Sequence, residues 1–379
     1  MVMVILNMRC QQGITHYVQK TSLHTEVNMG VYTSINDPSV YFQTAIYNGN
    51  GGANTITNDG NSNLQPDWLW FKERSSSSYH HVFDTSRGVG GCGKALYTNN
   101  TDAEAADTAL TSVNTDGFTL ANTGGFNENG QTNVCWQWKA NGGTTASNSN
   151  GTITSTVQAN TTAGFSIVTY TGTGSAATLG HGLGSAPEVV IVKSRSQGYG
   201  WIVYHKAAAS DAHTDYLGLD DSDALTDFPM WNDTAPTSTV FSVGTDVAVN
   251  NNTQNYVAYC FAEKQGYSKF GSYEGNGNAN GTFVYTGFKP AWFLCKQTNT
   301  SRSWTLIDSK RPEINSNDTK ALVPNESGAE ENIDADFLSN GLKIRQNQTA
   351  INESGGSYIY MAFAESPFVS SAGVPVTAR

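Results

Sequence analysis

Tyr170-Thr171-Gly172-Thr173-Gly174, followed by Pro187-Glu188-Val189-Val190-Ile191-Val192-Lys193, decides what this chain folds into. Paired glycines mark places where the backbone turns through angles other residues avoid. A proline can open a strand because its missing N–H need not join the ladder there. The near-continuous apolar run behind it reads as an inner strand covered on both faces.

Both phrases recur. The glycine phrase returns at Tyr47-Asn48-Gly49-Asn50-Gly51 and Tyr273-Glu274-Gly275-Asn276-Gly277. The strand phrase returns at Pro66-Asp67-Trp68-Leu69-Trp70-Phe71-Lys72 and Pro290-Ala291-Trp292-Phe293-Leu294-Cys295-Lys296. A third phrase follows each strand as its hairpin partner: His81-Val82-Phe83-Asp84 with Arg87, Trp201-Ile202-Val203-Tyr204-His205, and Trp304-Thr305-Leu306-Ile307-Asp308 with Arg311. Asp84/Arg87 and Asp308/Arg311 are spaced to pair across the turn, a contact worth little if exposed. Each unit closes on an aromatic strand, in which Trp136/Trp138, Tyr259/Phe261 and Met361/Phe363 alternate onto one face.

Self-similarity at this period predicts an all-β chain, a tandem array of about three antiparallel β-sandwich repeats of jelly-roll or lectin-like type. The expected boundaries are 30–141, 153–265 and 266–379, with a Gly/Asn/Ser/Thr-rich linker at 142–152. Residues 1–29 read as an extension upstream of a start at Met29. Met29-Gly30-Val31-Tyr32-Thr33-Ser34 also fits the short N-myristoylation pattern, which has meaning only in a eukaryotic host.

Composition narrows the functions. Charged residues are 14% of the chain and the formal net charge is −11. With no basic stripe, neither nucleic acid nor an anionic membrane surface is an expected partner. No apolar run reaches the ~20 residues of a membrane-spanning helix. The five cysteines, Cys10, Cys92, Cys135, Cys260 and Cys295, form no Cys-x-x-Cys pair. Cys135, Cys260 and Cys295 sit in strand patterns and read as buried thiols.

The ordered phrases resemble structural proteins encoded widely in marine bacteriophages. Ser34-Ile35-Asn36-Asp37-Pro38, Tyr41-Phe42-Gln43 and the first glycine phrase resemble their opening; His181-Gly182-Leu183-Gly184 before Pro187, Pro236–Gly244, Tyr259–Glu263, Gly271-Ser272-Tyr273, Phe337–Gly341 and the terminal Val376-Thr377-Ala378-Arg379 match further on. The resemblance runs from Met29 to the end. It implies a virion component in the extracellular phage particle, labelled tail fibre or tail-associated, with other virion proteins and host surface glycans as partners and a homo-oligomer, trimeric in many fibres, as the assembly. It implies no catalytic residues, metal or cofactor, and the binding residues stay unknown. A lectin-like protein, a capsid fibre or decoration protein and a polysaccharide depolymerase are the alternatives.

Few residues suggest chemistry. His181-Gly182-Leu183-Gly184 lacks the Gly-x-Ser-x-Gly elbow an esterase oxyanion loop serves, and reads as a turn. Asp220-Asp221-Ser222-Asp223 lacks EF-hand spacing, and reads as a solvated loop. His80, His81, His205 and His213 show no ligand spacing. Trp70, Trp136, Trp138, Trp292 and Trp304 lie in strand patterns, and most of them are expected in the core. Tyr79, Tyr199 and Trp231 lie in loops, where an aromatic ring suits stacking on a sugar.

Overall fold

A computed structural model describes residues 33–88, 90–121, 125–311 and 319–366. The expected N-terminal extension, the first four residues of the myristoylation pattern, Cys10 and the Val376–Arg379 phrase lie outside these residues.

The chain is nearly all β, and its strands pair antiparallel throughout the named ladders. In repeat 1 the main sheet runs, edge to edge, Phe42–Asn48, Thr132–Trp138, Trp68–Glu73, His81–Asp84, Gly93–Tyr97 and Ala105–Asp107. Repeat 3 has the same order: Ser268–Glu274, Ser357–Phe363, Trp292–Gln297, Thr305–Asp308, Thr319–Leu322, Glu331–Ile333. Repeat 2 has the same core, Phe165–Thr171, Asn255–Phe261, Val189–Ser194, Ile202–His205, Asp215–Gly218, Thr226–Asp227, with Ala146–Asn148 and Ser155–Asn160 added at one edge. In each case the last long strand is inserted between the first and the Pro-initiated one, so each repeat closes on itself. A smaller sheet accompanies each main one: three-stranded in repeats 1 and 3, two-stranded in repeat 2.

Period-two alternation then explains the unbroken apolar runs. All six residues of Trp68–Glu73, Val189–Ser194 and Trp292–Gln297 are buried. One face of each strand (Leu69/Phe71, Val190/Val192, Phe293/Cys295) packs in the local core of its own repeat. The other face (Trp68/Trp70, Val189/Ile191, Trp292/Leu294) enters one core shared by all three repeats. Trp138 and Phe261 both pack tilted against Trp68, at 4.5 and 5.8 Å between ring centroids, and Phe363 lies 5.6 Å from Trp138. Cys135, Cys260 and Cys295 are buried free thiols in the local cores.

Tandem in sequence, the repeats therefore close into a ring in space. No sandwich could leave its shared face bare: each carries several large aromatic or aliphatic side chains there, each worth roughly 1.5–3 kcal/mol on burial. The junctions repeat cyclically. Backbone bonds of 2.9 Å join Glu104 N–H to Arg195 O, Leu225 N–H to Thr298 O, and Glu330 N–H to Arg74 O, linking repeats 1 to 2, 2 to 3 and 3 to 1. This is pseudo-threefold closure within one chain.

The stretch 142–152 takes part in that closure. Ala146–Asn148 is an edge strand paired with Ser155–Asn160. Just before it, the Gly142 and Gly143 amides, with that of Ala140, donate to the buried Asp67 carboxylate of repeat 1, each at 2.8 Å.

The glycine phrase also acquires a role. Tyr47, Tyr170 and Tyr273 donate their hydroxyls to the carbonyls of Phe126, Val249 and Ile351 at 2.7, 2.6 and 2.9 Å. At the first glycine a Cβ would collide with the carbonyl of Glu128, Asn251 or Glu353. The second has φ of +64°, +72° or +63°, a region only glycine enters freely. A buried Asn completes each turn, Asn127, Asn250 or Asn352, its side-chain oxygen accepting from the amide between the two glycines at 3.4, 2.8 and 2.9 Å.

Candidate binding surface

Many of the charged side chains are used inside the ring. Asp84 and Arg87 are fully buried, not an exposed pair across a turn. The Asp84 carboxylate accepts from Arg87 Nε, from the Ser86 and Arg87 amides at 3.0 and 2.9 Å, and from the Tyr259 hydroxyl of repeat 2 at 2.7 Å. Arg87 continues to Glu104 at 3.0 Å, and Glu104 to Arg195 of repeat 2 at 2.8 Å. Repeat 3 copies the network onto repeat 1: Asp308 and Arg311 pair at 2.6 Å, the Trp136 indole donates to Asp308 at 2.9 Å, and Glu330 holds Arg74 at 2.9 Å. Repeat 2 fills the same positions with His205, Ala208 and Leu225, and meets repeat 3 through His205 Nε2–H and the Tyr360 carbonyl, 3.0 Å apart. Arg87 is held firmly protonated by Asp84 despite its burial, and burial drives the His205 imidazole down to about 4.

The lysine that ends each Pro-initiated strand is buried too. Lys72, Lys193 and Lys296 have no solvent exposure. Lys193 Nζ donates to Thr101 O of repeat 1 at 3.0 Å and to Tyr199 O at 2.6 Å; Lys296 Nζ donates to Gln297 O at 2.8 Å and to Ser222 O of repeat 2 at 3.3 Å. Lys72 donates to Glu73 O at 2.6 Å. Burial lowers all three to about 8.

The residues singled out by sequence mostly serve these joints. His181 is buried, bridging the Thr237 carbonyl (3.1 Å) and the Leu183 amide (3.2 Å), which makes its loop a braced turn. Asp220 accepts from the Trp201 amide at 2.6 Å, and burial lifts it to about 6; Asp221 accepts from the Asp223 amide at 2.9 Å. This acidic loop is thus folded against the repeat 2–3 junction beside Lys296. His80 accepts from the Trp70 indole at 2.9 Å, which leaves its proton on Nε2. That proton lies on the side of Val323, at the junction equivalent to those where Trp201 and Trp304 donate to Tyr97 O and Gly218 O at 2.8 and 2.7 Å, but forms no bond of normal geometry. His81 is buried 3.9 Å from Asp107. His213 is half-buried and makes none of these bonds. Among the described residues, no group of three His, Cys, Asp or Glu side chains is placed to hold a metal ion.

Of the loop aromatics, Trp231 is buried, its indole donating to Asp215 O at 3.0 Å and its ring packed against Tyr204. It offers no platform. Tyr199 is half-buried against the core of repeat 2. Tyr79 is exposed, its ring 5.4 Å from that of Tyr97.

Two surface recesses stand out. One, of about 480 Å³, is mainly apolar and lies between Gly88, Cys92, Lys94, Thr108 and Leu110 in repeat 1. The other, of about 190 Å³, opens where repeat 2 passes into repeat 3; it is lined by Glu263, Gln265, Lys269 and Thr286, and walled by Tyr285. Two of the lining residues, Glu263 and Lys269, form an ion pair of 2.8 Å. Tyr285 is 59% exposed and Phe283, on the same side of the strand, 41%. They belong to a three-residue strand, Phe283–Tyr285, too short for its pattern to stand out in the sequence.

The family described as a domain of unknown function, DUF7483, matches residues 37–367. The chain belongs to the DUF7483 family. The matched span begins at Asp37, whose carboxylate caps the turn that leads into the first strand, and takes in all three sheet pairs, so the DUF7483 domain corresponds to the whole ring and not to one sandwich. Comparison with curated proteins returns no match.

Proposed function

We propose that the protein is a structural component of a bacteriophage virion, a tail-fibre-like surface protein that touches host glycans through its outer faces. The observation that carries this reading is the closed ring. Three sandwiches spend their large apolar faces and most of their buried charges on one another, leaving a rigid body whose loops and small sheets point outward. Rigid frameworks with outward loops are how binding surfaces are usually carried. The ordered phrases shared with marine phage structural proteins supply the virion context. The homo-oligomer expected from sequence, a trimer included, must then form through these outer faces, because the shared face of each main sheet is already occupied.

Immunogold labelling of purified particles with antibodies to residues 33–366 tests the reading. Gold on the tail tip or fibres supports it. Gold on the head moves the protein to a capsid fibre or decoration role. Unlabelled intact particles that encode the protein overturn it and favour the second reading, a free lectin-like protein, for which the Tyr285 recess is the supporting observation. A depolymerase would instead release new reducing ends from host polysaccharide.

A further inference from the structure

We infer that Phe283 and Tyr285, with the recess formed by Glu263, Gln265 and Lys269, bind a neutral oligosaccharide. This deepens the glycan-binding part of the proposed function and rests on it.

The three repeats provide an internal control. Ile56 of repeat 1 pairs with Phe118, Leu179 of repeat 2 with Phe241 and Val284 of repeat 3 with Leu342, which sets the three strands in register, that of repeat 2 being bridged by Ile153 on its other side. The residues flanking these inward side chains are Thr55 and Thr57 in repeat 1, Thr178 and Gly180 in repeat 2, and Phe283 and Tyr285 in repeat 3. Two copies build this strand with small side chains, so the fold does not require aromatic rings there. Single exposed apolar residues are ordinary on a protein surface. Here two large rings share one side of a strand, set about 6.6 Å apart by two strand steps, and an open recess adjoins the Tyr285 ring. Phe283 leans over Gly341, where a Cβ would meet the Val284 carbonyl and the Phe283 ring, and the Tyr285 ring lies within ordinary contact distance of Gly287.

The chemistry of the recess selects the ligand. Glu263 and Lys269 neutralise each other at 2.8 Å while keeping polar atoms at the rim, their side chains 29% and 38% exposed. Gln265 is exposed and offers an amide donor and acceptor to the same space. An aromatic platform beside paired donors and acceptors suits a molecule with an apolar ring face and a hydroxyl edge, as a pyranose has. The recess holds about one sugar unit, and the second ring extends the platform for the next. A polyanionic glycan is disfavoured by the chain's charge of −11.

The test uses the full chain and a panel of cellohexaose, laminarihexaose, maltohexaose and chitohexaose, with binding measured by calorimetry and saturation-transfer NMR. The variant F283T/Y285T carries the residues of repeat 1, and its melting temperature should match the wild type. Binding of at least one oligosaccharide, weakened tenfold or more in this variant and also in Q265A, is the expected result. If an oligosaccharide binds and both variants bind it unchanged, the site falls while the glycan-binding reading stands. If none of the panel binds, the inference falls together with the glycan part of the proposed function. Self-association of the wild type that F283T/Y285T abolishes would overturn the inference differently, making this face a contact with a second copy of the chain.

Discussion

Removing the Asp84 carboxylate tests whether the ring is held by coupled charge networks or by apolar packing alone. Asp84 accepts four hydrogen bonds while fully buried, one of them from the Tyr259 hydroxyl of the neighbouring repeat. In Asp84→Ala the Arg87 guanidinium keeps Glu104 at 3.0 Å but loses its nearest counter-charge. Breaking a buried pair in this way costs about 3–5 kcal/mol, and the surviving Glu104 sets the expectation near the lower end, about 3 kcal/mol. Arg87→Ala leaves a buried carboxylate with three uncharged donors and should cost a similar amount. The double variant leaves neither charge stranded, since Glu104 retains Arg195 at 2.8 Å. Repeat 2 already builds the same position with His205 and Ala208, so the fold accepts an uncharged solution there. The double variant should therefore cost about 3 kcal/mol in place of the roughly 6 kcal/mol of two additive singles, a coupling of about 3 kcal/mol. Equilibrium urea unfolding followed by tryptophan fluorescence measures all four corners of the cycle. Single-variant costs that add to within about 0.5 kcal/mol, the range of independent sites, would refute the reasoning.

The buried lysines make stability depend on pH. Their folded value of about 8 lies below the ~10.4 of an unfolded chain, so between the two the unfolded state holds more protons and each lysine's contribution to stability rises with pH. Buried Cys135, Cys260 and Cys295 are shifted up and act in the opposite sense, so the difference from a variant is the clean quantity: Lys193→Met should lose ground to the wild type as pH rises from 8 to 10, and a constant difference in urea midpoint over that range counts against the assignment. At the glycine phrase, Gly172→Ala should destabilise by about 1–3 kcal/mol through overpacking against the Asn251 carbonyl and the Tyr256 ring. Gly52→Ala, whose Cβ would meet only the Asn50 side chain at 3.8 Å, should fall within about 0.5 kcal/mol of wild type; equal effects of the two substitutions in thermal unfolding would contradict the close-approach argument.

What the sequence by itself determined is local and periodic. Pro-initiated apolar runs, alternating aromatic strands and paired glycines each report on the few residues around them, so they revealed an all-β chain and placed its strands. They also placed Cys135, Cys260 and Cys295 in the interior. The buried Asn127, Asn250 and Asn352 were legible in principle, since each stands at a fixed place in its repeat, but a lone Asn in a polar turn looks like any other. Tertiary structure alone decided where the second face of each main sheet goes. An apolar run says that both faces are covered, but not by what, and the covering side chains come from the other repeats, as Tyr259 of repeat 2 does for Trp68 of repeat 1. The same step turned Asp84/Arg87 and Asp308/Arg311 from expected turn contacts into buried joints, drew the 142–152 stretch onto Asp67, and buried Trp231. It left Phe283 and Tyr285 exposed, because alternation tells which side chains share a face and only packing tells which face meets water.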